Sequence, residues 1–168
     1  MTTWSDLHAA APDLAERGRA ILSATTNAVL ATVRADGSPR VSGIDPWFAH
    51  DELWIGSMPG ARKADDLVRD PRMALHGVPW ESRRLKEGAA DPGDADVKLT
   101  GRALEVTDVE EIRRALAVFA DDRGVDAPDE GRYFRIEPAS LAVVYVEGEE
   151  LVIDRWTEAG GRRTVRRT

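Results

Sequence analysis

The chain has 168 residues, 42% apolar and 32% charged, a composition that fits one globular domain with a sizeable core and leaves no room for a second of ordinary size. Its 23 Lys and Arg against 30 Asp and Glu give a net charge of −7, which disfavours partnership with nucleic acid or an anionic membrane surface. The lack of cysteine excludes disulfides, iron–sulfur clusters and thiol nucleophiles, and three scattered histidines give a metal centre little to build on.

Residues 4–24 carry Leu7, Leu14, Gly18, Ile21 and Leu22 at helical spacing, with Pro12 where a second, longer helix would start. The longest uncharged stretch, Ala20 to Val33, has 14 residues and includes Ser23, Thr25, Thr26 and Asn27, too short and polar for a membrane span. No basic-then-apolar secretory pattern opens the chain, so the cytoplasm is the expected compartment. Ala28 to Arg34, the turn pair Asp36-Gly37 and Pro39 to Ile44 predict a hairpin, because Asp-Gly supplies the positive φ of a tight turn. Phe48, the polar tip His50-Asp51 and Leu53 to Ser57 predict a second hairpin. Ala61 to Arg69 then reads as a short helix with Ala64, Leu67 and Val68 inward, stopped by Pro71, before a strand from Met73 to Val78.

Residues 80–96 have the composition of a mobile loop, and Val97 to Val106 that of a long strand in which Gly101 marks a bulge or close approach. Thr107 and Glu110 form a predicted capping box for a helix with Val109, Ile112, Leu116 and Phe119 as its apolar stripe and Gly124 beyond its end. Tyr133 to Glu137, Leu141 to Val146 and Leu151 to Trp156 read as three final strands, and Arg162, Arg163, Arg166 and Arg167 as a solvated basic tail over 157–168. One domain is expected: a helical segment at 4–24, then a mainly β (α+β) antiparallel barrel over 28–156 with flanking helices.

The segment from Gly56 to Lys63 has a strand feeding a glycine-bearing loop and a helix with a cation near its start, but its spacing is not that of a P-loop. It retains the makings of an anion site: free N–H groups at a helix start beside a guanidinium and an ammonium. The plain alternative is that Arg62 and Lys63 pair with Asp66 on a solvated helix face. No serine-hydrolase elbow or dinucleotide fingerprint is present. His76 in its apolar strand reads as a hydrogen-bonded core imidazole, and Asp45 before Pro46 as turn chemistry. Each of the five tryptophans, Trp4, Trp47, Trp54, Trp80 and Trp156, is by default a packing residue.

The order Ala28-Val29-Leu30-Ala31-Thr32-Val33, Asp36-Gly37-Ser38-Pro39-Arg40-Val41-Ser42, Leu53-Trp54-Ile55-Gly56-Ser57, Arg62-Lys63-Ala64, Leu67 and Asp70-Pro71-Arg72 resembles the pyridoxamine 5′-phosphate oxidase-like family. The resemblance covers residues 20–106 well and the later strands more loosely. It implies a split β-barrel that binds flavin mononucleotide (FMN) between the subunits of a homodimer. It implies that Arg62 and Lys63 hold the flavin phosphate, that Ser42, Gly43, Ile44 and Asp45 line the ring, and that Ser57 lies near the ribityl chain and phosphate. Trp47, Trp80 and the 80–96 loop are candidates for substrate-pocket wall and lid, and no side chain is expected as covalent catalyst.

The family's oxidases proper carry Arg at the position of Ser42, usually Ser at that of Ala61, and a terminal Arg-x-His element. This chain instead ends Trp156-Thr157-Glu158-Ala159-Gly160-Gly161-Arg162-Arg163, so vitamin oxidation is not expected. The expectation is an FMN-dependent oxidoreductase acting on a small molecule. The alternatives are a reductase using the deazaflavin coenzyme F-420 and a non-catalytic flavin- or haem-binding protein, with His76 as the axial candidate.

Overall fold

Two helices open the chain in the computed structural model, which describes residues 2–24, 27–77, 95–128 and 130–168. In α1 (Trp4–Ala10) the Thr3 hydroxyl accepts from the Asp6 amide at 3.1 Å while the Asp6 carboxylate accepts from the Thr3 amide at 2.9 Å, a reciprocal cap. Pro12 starts α2 (Pro12–Ala24), where its missing N–H costs nothing. Leu7, Leu14, Ile21 and Leu22 are buried as their spacing predicts, and Gly18 lets α2 rest on Leu141, whose methyl would lie 3.0 Å from a Cβ there. No described helix is long and apolar enough to cross a membrane.

The strands are β1 (Ala28–Val33), β2 (Pro39–Ile44), β3 (Trp47–Ala49), β4 (Glu52–Ser57), β5 (Arg72–Gly77), β6 (Asp96–Val106), β7 (Arg132–Glu147), β8 (Glu150–Thr157) and β9 (Gly161–Arg167), the first six in the predicted order. All pair antiparallel, in the order β2-β1-β5-β6-β7-β4-β3, with β8 on β7 and β9 on β8. The sheet does not close, so the architecture is a split barrel with flanking helices. Gly37 takes φ 83° in the first hairpin, and the tip of the second places His50 and Asp51 at φ 51° and 60°, a conformation these residue types tolerate.

Two predicted C-terminal strands are one. β7 runs through the gap expected at Pro138 to Ser140, pairing with β4 over its first part and with β8 over its second. The register against β6 shifts at Gly101, where a Cβ would sit 2.1 Å from the Glu137 carbonyl oxygen. The basic tail is a strand as well. Arg162 reaches Asp154 and Arg166 reaches Glu147 and Glu150, which holds β9 against its neighbours while every residue of it stays exposed.

Both remaining helices differ in detail from expectation. In α3 (Arg62–Arg69) Ala64 and Leu67 face inward, but Val68 is 49% exposed and Asp66 takes the inward position. α4 (Val109–Arg123) is capped one residue later than predicted: the Asp108 carboxylate, not Thr107, accepts from the first turn, at 2.8 Å from the Glu111 amide. Gly124 closes α4 in the left-handed conformation, as its position predicted. One core packs α1, α2 and α3 on the barrel. A second, smaller cluster of Trp47, Trp54, Ala115, Leu116 and Tyr133 sits under α4.

Candidate functional site

At the start of α3 no side chain caps the helix, because residue 61 is alanine. Arg62 is exposed and has no hydrogen-bond or ion-pair partner among the described residues. The Lys63 ammonium donates to the Gly43 carbonyl oxygen at 2.8 Å, which ties α3 to β2. Burial lowers the Lys63 pKa from its ordinary value, since the half-covered stem leaves the ammonium less water than a free lysine has.

The plain pairing of Arg62 and Lys63 with Asp66 does not occur. Asp66 is 3% exposed and accepts from Arg40 at 2.6 Å, from the Thr32 hydroxyl at 2.9 Å and from Arg69 at 3.1 Å. Burial pushes its carboxyl up, but the hydrogen bonds from Arg40, Thr32 and Arg69 outweigh it and the pKa lies below the usual carboxylate value. Asp66 therefore pins α3 onto β1 and β2 and leaves both cations at its start free of it.

The β2 candidates divide between two faces. Gly43 is exposed, Ser42 is half-buried on the other face with Arg40, and Ile44 is a core residue that offers a ligand at most its backbone. Asp45 does more than turn chemistry. Its carboxylate accepts from Arg123 at 2.5 and 3.1 Å, and the same guanidinium donates to the Pro46 carbonyl at 3.1 Å. The Arg123 side chain is only 7% exposed, so the end of α4 is strapped to the link between β2 and β3.

Next to this strap lies a cavity of about 150 Å³ that gathers Asp45, Trp47 and Ser57, three sequence candidates, with Leu116, Phe119 and Tyr133. Trp47 is fixed there by its indole N–H, which donates to the Ala115 carbonyl at 3.1 Å, and by an edge-to-face contact with Phe119, ring centroids 5.1 Å apart. Gly56 allows the enclosure: a Cβ there would meet the Tyr133 ring at 3.2 Å and Trp47 at 3.6 Å. Leu116 and Phe119 carried only a helical-stripe signal in sequence, and Arg123 carried none, since its partner lies 78 positions away.

His76 is hydrogen-bonded as expected but is no core residue. Its side chain is 39% exposed on the outer sheet face, with Nε2 at 2.9 Å from an Asp96 carboxylate oxygen. Trp4, Trp54 and Trp156 are packing residues. Trp80, and residues 78–94 of the expected lid with it, lie outside the described residues.

Solved structures with this fold include a heme binding protein from Mycobacterium smegmatis, at TM-score 0.62 and 21% identity over 86% of this chain and 57% of that one. HutZ, the heme storage protein from Vibrio cholerae, matches at TM-score 0.54 and 19% identity over 77% and 89%. PhzG from Burkholderia lata 383, in complex with tetrahydrophenazine-1-carboxylic acid, matches at 0.58 and 13% over 85% and 82%. At these identities the likeness is one of fold, and the chain spans little more than half of the Mycobacterium protein. A search among curated proteins returns no match. The family model described as pyridoxamine 5′-phosphate oxidase matches residues 14–147, most of the sheet and three of the four helices, and the chain belongs to that family.

Proposed function

We propose that the chain is an FMN-dependent oxidoreductase acting on a small molecule as a homodimer. The observation that carries this is the start of α3, where an uncapped helix end, Lys63 and an Arg62 without a partner among the described residues converge in a chain of this family. These groups fit a phosphate monoester: backbone N–H groups and two cations meet close to two negative charges. A bound flavin supplies hydride or electron transfer. The chain's own part is to hold the phosphate with Arg62 and Lys63 and to offer the exposed Gly43 backbone and the Asp45 carboxylate for orientation. Trp47 closes one side against water. Exposed Val29 and Val41 on the outer sheet face support the dimer, since an apolar face of this kind is ordinarily covered.

The deazaflavin coenzyme, also a phosphate ester, suits the same anion end. Haem is a separate reading, favoured by the half-exposed His76 and by what the Mycobacterium and Vibrio proteins are named for. Against it, Asp96 occupies Nε2, so iron would have to take Nδ1 or displace the carboxylate.

Titrating FMN, the deazaflavin coenzyme and haem into wild type and an Arg62→Ala/Lys63→Ala variant decides among the three. Each charge-assisted phosphate contact contributes roughly 1.5–3 kcal/mol, so the variant is expected to bind its flavin about a hundredfold more weakly or worse, with an unchanged circular dichroism spectrum. Equal affinity in both proteins would put the phosphate elsewhere. Haem binding lost in His76→Ala and kept in the double variant would establish the haem reading instead. Pyridoxamine 5′-phosphate is not the expected substrate, and turnover of it at about 1 per second or faster would refute that.

A further inference from the structure

The cavity beneath α4 has a chemistry of its own. Trp47, Phe119 and Tyr133 line it with aromatic rings and Leu116 with an aliphatic wall. Its volume of about 150 Å³ is that at which an apolar cavity takes up one benzene ring. No lysine, arginine or histidine lines it among the described residues, and its charged groups are the carboxylates of Asp45 and Glu130. Asp45 is already paired with the buried Arg123 guanidinium and Glu130 is exposed, so the described lining gives an entering anion no free cation to offset its lost hydration. A carboxylate has about four acceptor positions, and Arg123 uses one on each Asp45 oxygen, which leaves acceptor capacity for a ligand that donates.

We propose that this cavity binds a single-ring aromatic molecule, neutral or cationic, that carries a hydroxyl or amino hydrogen-bond donor. We assign it as the pocket for the substrate ring, and in that assignment it rests on the flavin reading above; the ring binding itself does not. The class follows from the site: the ring from volume and aromatic walls, the donor from Asp45, and the exclusion of acids from a described lining without a free cation.

The test uses the full-length protein labelled with nitrogen-15, with and without FMN, titrated with phenol, benzylamine, toluene and benzoate. The Trp47 indole N–H reports directly, since its ring forms a wall while its hydrogen bond to Ala115 holds it in place. Phenol and benzylamine are expected to shift that resonance saturably, with dissociation constants on the order of millimolar or below. Toluene and benzoate are each expected to bind about tenfold more weakly or worse, the first for want of a donor and the second for its charge. Leu116→Phe, which fills the cavity, is expected to weaken phenol by a similar factor, and the wild-type comparisons stand alone if that variant misfolds. A Trp47 resonance that none of the four moves, or benzoate binding as well as phenol, overturns the proposal. Phenol binding in a protein that takes no flavin upholds the ring site and overturns its assignment to flavin chemistry, so the two readings fail separately.

Discussion

Asp66 is the residue on which the geometry of the anion end depends. Its three hydrogen-bond donors come from two strands and from its own helix, so its removal leaves the Arg40 guanidinium, only 25% exposed, without its carboxylate. Breaking a buried pair from one side costs about 3–5 kcal/mol, and because Arg40 keeps some water the lower end applies. Asp66→Ala is therefore expected to lose about 3 kcal/mol in urea unfolding, where Asp65→Ala on the exposed face changes little. The pH dependence has a definite sign. Since the folded pKa of Asp66 lies below the ordinary value of 3.8, its contribution is complete above that value and is lost as pH falls through the lower folded one. Wild-type stability should decline in this acid range more steeply than that of the Asp66→Asn variant, as paired unfolding curves between neutral pH and pH 3 would read.

Two elements have ends or joints that single residues decide. The α4 cap belongs to Asp108, so Asp108→Ala is expected to cost about 1 kcal/mol and Thr107→Ala much less. Comparable losses in the two variants, by thermal or urea unfolding, would return the cap to Thr107. In the sheet, the joint is the bulge where β7 exchanges β4 for β8. A methyl at Gly101 would overlap backbone that cannot move independently of both strands, and Gly101→Ala is expected to cost roughly 3 kcal/mol, the upper end for overpacking. Gly43 is the contrast. Its Cβ would meet nothing nearer than the Asn27 side chain at 3.5 Å, so Gly43→Ala should leave stability within about 0.5 kcal/mol and act, if at all, on flavin affinity.

At the scale of the molecule, the open face of the sheet is the feature that a lone chain leaves unexplained. Val41, 70% exposed, lies opposite Ala31 across β1, with Val29 and Gly43 the neighbouring pair. Light scattering is expected to give a mass of two 18.4 kDa chains at micromolar concentration. Val41→Asp is expected to give the single-chain mass with an unchanged circular dichroism spectrum, and to bind flavin more weakly if the site is shared between subunits. A wild-type protein of single-chain mass that still binds flavin fully would remove the shared-site argument.

What the sequence by itself determined is local. The helices of residues 4–24, the turns at Gly37 and at His50-Asp51 and the stop at Gly124 each depend on a few neighbouring residues whose φ preferences, caps and periodicity act without the rest of the chain. The order of strands and of the Arg62-Lys63 pair was enough to place the chain in its family, because motif order survives where contacts cannot be read. The tertiary structure decided what depends on distant partners. Asp66 reads as a helix-surface charge until Arg40, 26 positions away, and Thr32 are laid against it. Residues 132–147 read as two strands because Pro138 interrupts the local pattern, but pairing to β6 on one side and to β4 and β8 on the other carries the strand through. The arginines of β9 read as a solvated tail because a charged strand on a sheet edge has no apolar alternation, and only pairing with β8 gives it order. The cavity has the same origin. Its walls come from β3, β4, β7 and α4, and burial, unlike a turn, is a property that residues acquire only from elements brought against them.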